Sequence, residues 1–350
     1  MQDVDDRPAV HELSIRTSAA DGRDSIGMFF DACAPIFEGD LADRADNTDF
    51  SVTLKGAQLG ALVMSEVHMT GGDYHYRRDL SRAASTGLDL VFVQIITGGG
   101  DLRLVGGQEI RSRPGDVFVA DLTRTMRTRA ESCANYSFVL PRAAFGLREA
   151  ELDGFHDRHL PAGGAAAMVL GQHVRSLWTQ RQAIRQSEVA GLSAATAGLL
   201  GGLLAHDPAA RRGEMDERSP KYLQICQFID ANLGSGDLHP DHLALRFNLS
   251  RAALYRLFTA SDGVANYIRE RRLRQAFRLL TAPGHPAVAT VGFACGFQSP
   301  SSFIRAFKAR YGITPGETLE AAQLREIATS AIRADESSLL RSWIERADRG

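Results

Sequence analysis

The spacing of hydrophobic positions changes character along the 350-residue chain. Between residues 50 and 140, apolar residues come in short runs or alternate with polar ones: 50–54, 59–69 (LGALVMSEVHM), 74–77, 88–97 (LDLVFVQIIT), 101–105, 117–121 and 136–140. Runs of this length, rich in Val, Ile, Leu and aromatic residues and punctuated by glycine, predict strands. Gly98-Gly99-Gly100, Gly106-Gly107 and Pro114-Gly115-Asp116 read as the turns between them. Many short strands with regular turns predict a barrel or sandwich of the jelly-roll kind. From 165 to 206 the period lengthens, and Val169, Val174, Leu177, Val189, Leu192, Leu199, Leu200, Leu203 and Leu204 form helical stripes. Such helices either close the barrel or serve as a dimer interface. Residues 207–219 (DPAARRGEMDERS) have a linker's composition, residues 1–24 read as a polar mobile arm, and 25–33 as a short helix. The tail, 320–350, has helical spacing through Leu324, Ile327, Ile332, Leu339, Leu340, Trp343 and Ile344, and no function follows from it.

The most informative stretch is 222–319, which reads as two helix-turn-helix units joined by a basic helix. In the first unit Pro240 opens a supporting helix with Leu243, Ala244 and Phe247 on one face. Asn248-Leu249 makes the turn, and Ser250 is the N-cap of a second helix whose stripe is Leu254, Leu257 and Phe258. Its other side carries Arg251, Ala252, Tyr255 and Arg256. The plan repeats about fifty residues on: Val288, Val291 and Phe293 mark a supporting helix, Gly296 the turn, and Phe303 and Phe307 the buried stripe of a last helix. Pro300, Ser301, Ile304 and Arg305 are left for the outside. Helices of this kind fit the major groove, where arginine reaches base edges and phosphates. Between the units, 264–280 carries Tyr267, Ile268, Leu273, Ala276, Phe277 and Leu280 at helical spacing with five arginines among them. That spacer is about 26 Å long at roughly 1.5 Å per residue, which suits recognition helices about one DNA turn apart.

These residues resemble the AraC/XylS transcriptional regulators. The likeness rests on Leu249-Ser250, Leu254, Arg256-Leu257-Phe258, Gly263, Tyr267-Ile268, Arg272-Leu273, Ala276, Leu279-Leu280, the run 291–297 (VGFACGF), Ser299, Ser302-Phe303, Arg305-Ala306-Phe307-Lys308 and Tyr311-Gly312-Ile313-Thr314-Pro315. Two places depart from the family pattern: Leu245-Arg246 stands where small residues are usual, and Gly316-Glu317-Thr318-Leu319 replaces an aromatic-arginine ending. Arg113-Pro114-Gly115-Asp116-Val117 and Val139-Leu140-Pro141-Arg142 resemble, less densely, the cupin-like N-terminal domain of part of that family. The resemblance implies an α+β chain: a cupin-like β-barrel or jelly-roll at 25–206 with a helical dimerisation segment, and an all-α bipartite reader at 220–319. It further implies double-stranded DNA with two half-sites as partner, a small-molecule effector, RNA polymerase, and a homodimer acting as an activator in the cytoplasm.

Charge sharpens the picture. The whole chain carries −2, yet from 219 to 318 twelve Lys/Arg face six Asp/Glu, so this segment is +6 and the remainder −8. A basic module on an acidic body gathers attraction for phosphate in one place. Cys33, Cys133, Cys226 and Cys295 are scattered without a Cys-x-x-Cys pair, and neither a signal peptide nor a long apolar span is read. Cys226 and Cys295 fall on apolar helical faces as core residues. The strand Asp73-Tyr74-His75-Tyr76-Arg77 lacks the closely spaced histidines of a cupin metal site, and no nucleophile elbow occurs, so neither enzyme nor cofactor is expected. Candidates for the effector pocket are His68, Tyr74, Tyr76 and Gln94, with His75 and Arg77 beside them. Two other readings stay open: an N-terminal domain that binds only a protein partner, and a cupin-type enzyme with an appended DNA-binding module.

Overall fold

The computed structural model describes residues 10–18, 23–41, 50–71, 74–105, 108–147, 149–205, 220–259, 262–282, 284, 286–331 and 336–347. They form two compact units, one of residues 1–79, 88–205 and 331–350, the other of residues 80–87 and 206–330. The first unit begins with β1 (His11–Ser18), α1 (Arg23–Cys33), β2 (Glu38–Leu41), β3 (Ser51–Leu59), β4 (Leu62–Thr70) and β5 (Tyr74–Arg78). After α2 (Leu80–Thr86), which counts with the second unit, come β6 (Leu90–Val105), β7 (Gln108–Arg111), β8 (Val117–Asp121), β9 (Met126–Pro141), α3 (Glu149–Leu152), β10 (Arg158–Leu160), α4 (Ala165–Gln180) and α5 (Gln186–Ala205). The second unit continues with α6 (Pro220–Ala231), α7 (Pro240–Arg246), α8 (Arg251–Leu257), α9 (Val264–Thr281), α10 (Val288–Ala294), α11 (Pro300–Tyr311) and α12 (Pro315–Ala331). The chain then re-enters the first unit as α13 (Glu336–Ala347).

The first unit is an antiparallel sheet in the order β1-β3-β4-β9-β6-β8-β10, with β5 also paired to β9, β2 to β5, and β7 to β6. Both faces of the sheet are apolar, and each has its own cover. Leu90, Phe92 and Ile96 of β6 join a core with Phe29 of α1 and Leu340, Trp343 and Ile344 of α13. Val91, Val93 and Ile95 point the other way, into a core with Leu170, Val174 and Trp178 of α4 and Leu200 and Leu204 of α5. Successive strand residues face opposite sides, so a strand covered on both reads as a continuous apolar run, as 88–97 does.

Four expectations are corrected here. Residues 11–18 of the supposed arm are strand β1, paired with β3 from His11↔Gln58 to Ser18↔Ser51 and burying Leu13, Ile15 and Thr17 in alternation. Gly98-Gly99-Gly100 is no turn between strands. The chain stays in β6 and bends through irregularities at Ile96/Gly98 and Gly100/Asp101. Gly99 has φ +66°, and a Cβ there would lie 2.2 Å from the Ser132 carbonyl oxygen, so only glycine lets β9 come this close. A long apolar span does exist: α5 is long and apolar enough to cross a membrane by length and composition, although Val189, Leu200 and Leu204 sit in the sheet's core. The tail beyond 320 is divided, since α12 stays in the second unit as far as Ser330 whereas α13 packs in the core of the first. The glycine pair 106–107, the linker 207–219 and residues 1–9 lie outside the described residues.

Candidate nucleic-acid interface and sensing cavity

In the second unit, α7 starts at Pro240 with His239 as N-cap, its Nδ1 accepting from the His242 N–H at 3.3 Å. Leu243 and Ala244 are buried, while Leu245 is 84% exposed, so the departure from the family pattern there faces solvent. Asn248 makes the turn with φ 51°, a left-handed conformation that asparagine tolerates. Ser250 caps α8, its Oγ accepting from the Ala253 N–H at 3.1 Å. Leu254 and Phe258 are fully buried, and the Phe258 ring lies 4.9 Å from that of Tyr222 and 5.0 Å from that of Tyr267. With one side of α8 so fixed, Ser250, Arg251, Ala252, Tyr255 and Arg256 are left exposed. Arg251 pairs with Asp241 at 2.8 Å, but both side chains are more than half exposed, so the pair is weak and exchangeable for a phosphate.

The second helix-turn-helix is built in the same way. Ser299 Oγ accepts from the Ser302 N–H at 3.2 Å, and Pro300 occupies the first turn of α11. Phe303, Phe307 and Tyr311 are buried with Leu273, Phe277 and Leu280 of α9 and Val291 of α10. Pro300, Ser301, Ile304 and Arg305 are exposed on the opposite side. Phe293 is corrected: it is 54% exposed and no part of the core, whose α10 contribution comes from Val291 with Gly292. The same core takes in Ala84 of α2, a helix hidden in the sequence because it is seven residues of weak pattern, LSRAAST. Gly312 ends α11 in the left-handed conformation. The non-family ending that follows makes a reciprocal cap: Glu317 Oε2 accepts from the Thr314 N–H at 2.6 Å, and Thr314 Oγ1 from the Glu317 N–H at 3.2 Å. Those hydrogen bonds hold the Glu317 carboxyl below its ordinary pKa.

The arginines of α9 prove not to be one basic face. Arg271 is buried and pairs with Asp230 of α6 at 2.8 Å, and Arg274 is buried as well. Arg272 donates from Nε to the Leu233 carbonyl at 3.0 Å and from Nη2 to that of Ser235 at 2.9 Å, fastening the loop after α6. Sequence spacing alone did not separate these from exposed cations. Cys226 and Cys295 are free, buried thiols whose pKa burial pushes up to about 11, which leaves them protonated and unreactive.

In the first unit a small cavity of about 50 Å³ lies on the sheet face covered by α1 and α13, with Phe37, Tyr76, Phe92, Gln94, Asn135 and Ser137 among its walls. Of the sequence candidates, Gln94 and Tyr76 line it. Tyr74 is buried behind, its ring 5.1 Å from that of Tyr76, and His68 is corrected: its side chain is 56% exposed, 3.8 Å from Glu66. His75 and Arg77 also face outward. Missed altogether was a buried ion pair near the cavity: Arg103 Nε donates to Asp101 at 2.9 Å, and Arg103 Nη2 to Gln94 Oε1. Its signal was present, because residues two apart on a strand share a face. Among the described residues no group of three His, Cys, Asp or Glu side chains is placed to hold a metal ion.

Comparison with known proteins agrees with this geometry. A family described as an AraC-binding-like domain matches residues 31–205, and a helix-turn-helix domain family matches residues 243–321. The Msm operon regulatory protein of Streptococcus mutans is 29% identical over 122 residues, which are 34% of this chain and 43% of that protein. The HTH-type transcriptional regulator YpdC of Escherichia coli is 31% identical over 99 residues, 27% and 34% of the two chains. The chain thus spans less than half the length of these curated relatives. The crystal structure of CuxR, an AraC-like transcriptional activator, superposes with a TM-score of 0.52 at 24% identity, over 76% of this chain and 95% of that one, and shows the shared fold. With an AraC-binding-like domain over half its length and two capped helix-turn-helix units after it, the chain belongs to the AraC/XylS family of transcriptional regulators.

Proposed function

We propose that this protein is an effector-responsive, sequence-specific DNA-binding activator that works as a homodimer, and that it reads two half-sites about one DNA turn apart. The observation that carries the reading is the pair α8 and α11. Each is capped by a serine and anchored by buried aromatic or leucine side chains, and each leaves an arginine exposed one turn or less from its anchor, Arg256 on α8 and Arg305 on α11. A helix held so firmly on one side presents the other without reorganisation, which is what groove recognition requires. Ser250, Arg251, Ala252, Tyr255 and Arg256 then meet one half-site, and Pro300, Ser301, Ile304 and Arg305 the other. The cavity walled by Tyr76 and Gln94 is the place for a small effector. Support for the dimer comes from α5, which exposes Ala190, Gly191, Ala194, Ala195, Gly198 and Gly202, a small-residue face that suits close helix packing. On this reading the protein acts in the cytoplasm, with RNA polymerase as its partner at the promoter and without catalysis of its own.

The test is footprinting on a site selected from random DNA. Arg256→Ala and Arg305→Ala should each lose protection of a different half, the halves centred about ten base pairs apart. Each should lose about 1–3 kcal/mol of discrimination if it reads guanine, or a uniform part of the affinity with a shallower salt slope if it touches phosphate. If both variants lost the same half, or neither lost any protection, the two-helix reading would be wrong.

A further inference from the structure

The C-terminal helix α13 lies outside the matched helix-turn-helix domain, 243–321, and outside the matched AraC-binding-like domain, 31–205. It is nevertheless among the most deeply seated elements of the first unit. Trp343 is 1% exposed and heads the largest fully buried side chains, and Leu340 and Ile344 form part of the cavity wall opposite the sheet. Across from them, the sheet carries a polar row. Gln94 of β6, Ser137 of β9 and Ser65 of β4 are paired in register, Gln94↔Ser137 and Ser65↔Ser137, and all three line the cavity. Asn135, two residues from Ser137 and so on the same face, accepts the Ser137 hydroxyl at 2.7 Å. Gln94 is bonded by Arg103 of its own strand and Ser137 donates to Asn135, while the α13 residues that share the cavity wall with this row are leucine and isoleucine.

We infer that α13 is an intramolecular plug of the sensing cavity, and that the effector is an apolar molecule with an uncharged hydrogen-bonding head that replaces it. The inference rests on the reading of the first unit as a small-molecule sensor and adds what holds the site closed. Volume is the first reason. The residual cavity is about 50 Å³, while sites for small organic ligands run to about 300–1,000 Å³. Withdrawal of Leu340, Trp343 and Ile344 opens the space that such a ligand needs. The second reason is chemical complementarity: the aromatic and aliphatic walls now covering the helix's apolar side would cover the ligand's body, and the Gln94–Ser137–Ser65 row would take its head. An anionic head is disfavoured, because the buried Arg103 is already matched by Asp101. Third, α13 also buries Glu345, whose carboxylate accepts from Arg341 at 3.3 Å. Burying a charge offsets part of what the apolar side gains, and so leaves the seat weaker than an all-apolar helix would make it. Only residues 332–335 separate α13 from α12, so seating and release of the plug act on the chain directly after the DNA-binding unit.

The experiment uses the full chain without DNA and, as probe, the neutral naphthalene ketone 6-propionyl-2-dimethylaminonaphthalene, whose fluorescence reports binding. Hydrogen exchange of the peptide 336–347, followed by mass spectrometry, reports the helix. At saturating probe this peptide should exchange at least tenfold faster, and peptides of β4, β6 and β9 no faster than before. The double substitution Leu340→Asp with Ile344→Asp should unseat the helix beforehand and tighten probe binding at least tenfold, since apparent affinity rises with the fraction of open sites. Probe binding that leaves α13 exchange unchanged or slower would overturn the inference. Equal or weaker binding by the folded double variant would do the same, as would its failure to bind at all. Should the double variant not fold, the exchange measurement on the unmodified chain decides. Loss of DNA binding is not read in either arm, so a chain that bound the probe and shed α13 but ignored DNA would defeat the functional proposal and leave this one standing.

Discussion

Arg271 and Arg256 show how differently two arginines of one basic segment are employed. Arg256 stands in solvent at the end of α8, and its substitution should change DNA recognition and leave folding alone. Arg271 is buried on α9, with Asp230 of α6 as its partner at 2.8 Å. Removing it takes a buried ion-pair partner from a partly buried carboxylate and leaves a void on α9, so Arg271→Ala should cost the second unit about 1–3 kcal/mol and leave the sequence preference of whatever protein remains folded unchanged. Urea denaturation beside footprinting checks both halves of that statement. His173 of α4 makes a second residue-level test. Its Nε2 lies 2.9 Å from Thr196 Oγ1 of α5, and burial lowers its pKa from the ordinary 6.5. A depressed histidine stays neutral in the folded state while the unfolded chain takes up the proton first. Its contribution to stability is therefore complete above about pH 6.5 and is lost as pH falls through the lower, folded value. Between pH 7.5 and 5.5 the urea midpoint of the wild type should fall further than that of His173→Gln; equal falls would remove His173 from the account.

At the scale of elements, turns and caps decide whether the recognition helices are aimed. Gly296, between α10 and α11, has φ +81°, and a Cβ there would lie 2.3 Å from the Leu233 carbonyl oxygen and 2.8 Å from Arg272 Nε. Gly296→Ala therefore meets a backbone clash together with a strained φ, and should destabilise the second unit by more than about 1 kcal/mol. Thermal unfolding should show this as a lowered midpoint, and the loss of protection should be greater at the half-site read by α11. Much at this scale was legible. Ser250 as a cap, Leu254, Phe258, Phe303 and Phe307 as anchors and the helical run of α9 all follow from local spacing, because a helix carries its own period, whereas the cap at Ser299 came from the structure. Phe293 and Arg271 were misjudged for one reason: the period says which residues share a face, but not where that face ends or what packs against it.

The largest scale is that of the units and their copies. If α5 carries the dimer, Gly198 offers a clean test, since a Cβ built there meets nothing within 4 Å and the position is exposed. Gly198→Arg should leave the folding stability of the first unit within about 1 kcal/mol of wild type, and sedimentation should show monomers. A variant that remained dimeric would move the interface elsewhere. Strand content, the two-part plan and the paired helix-turn-helix were determined by the sequence itself, because strand alternation, helical period, capping serines and the charge contrast between +6 and −8 are local or additive properties. Tertiary structure alone decided that residues 11–18 are an edge strand, that Gly98–Gly100 bend a strand without ending it, that α2 belongs to the core of the DNA-binding unit, and that α13 packs in the core of the first unit beside the cavity lined by Gln94. Each of these depends on a partner far away in the chain. A strand is stable only against the strand it pairs with, a glycine bulge is defined by the carbonyl that approaches it, and a short amphipathic helix is placed by the apolar surface that lacks a cover, none of which local sequence encodes.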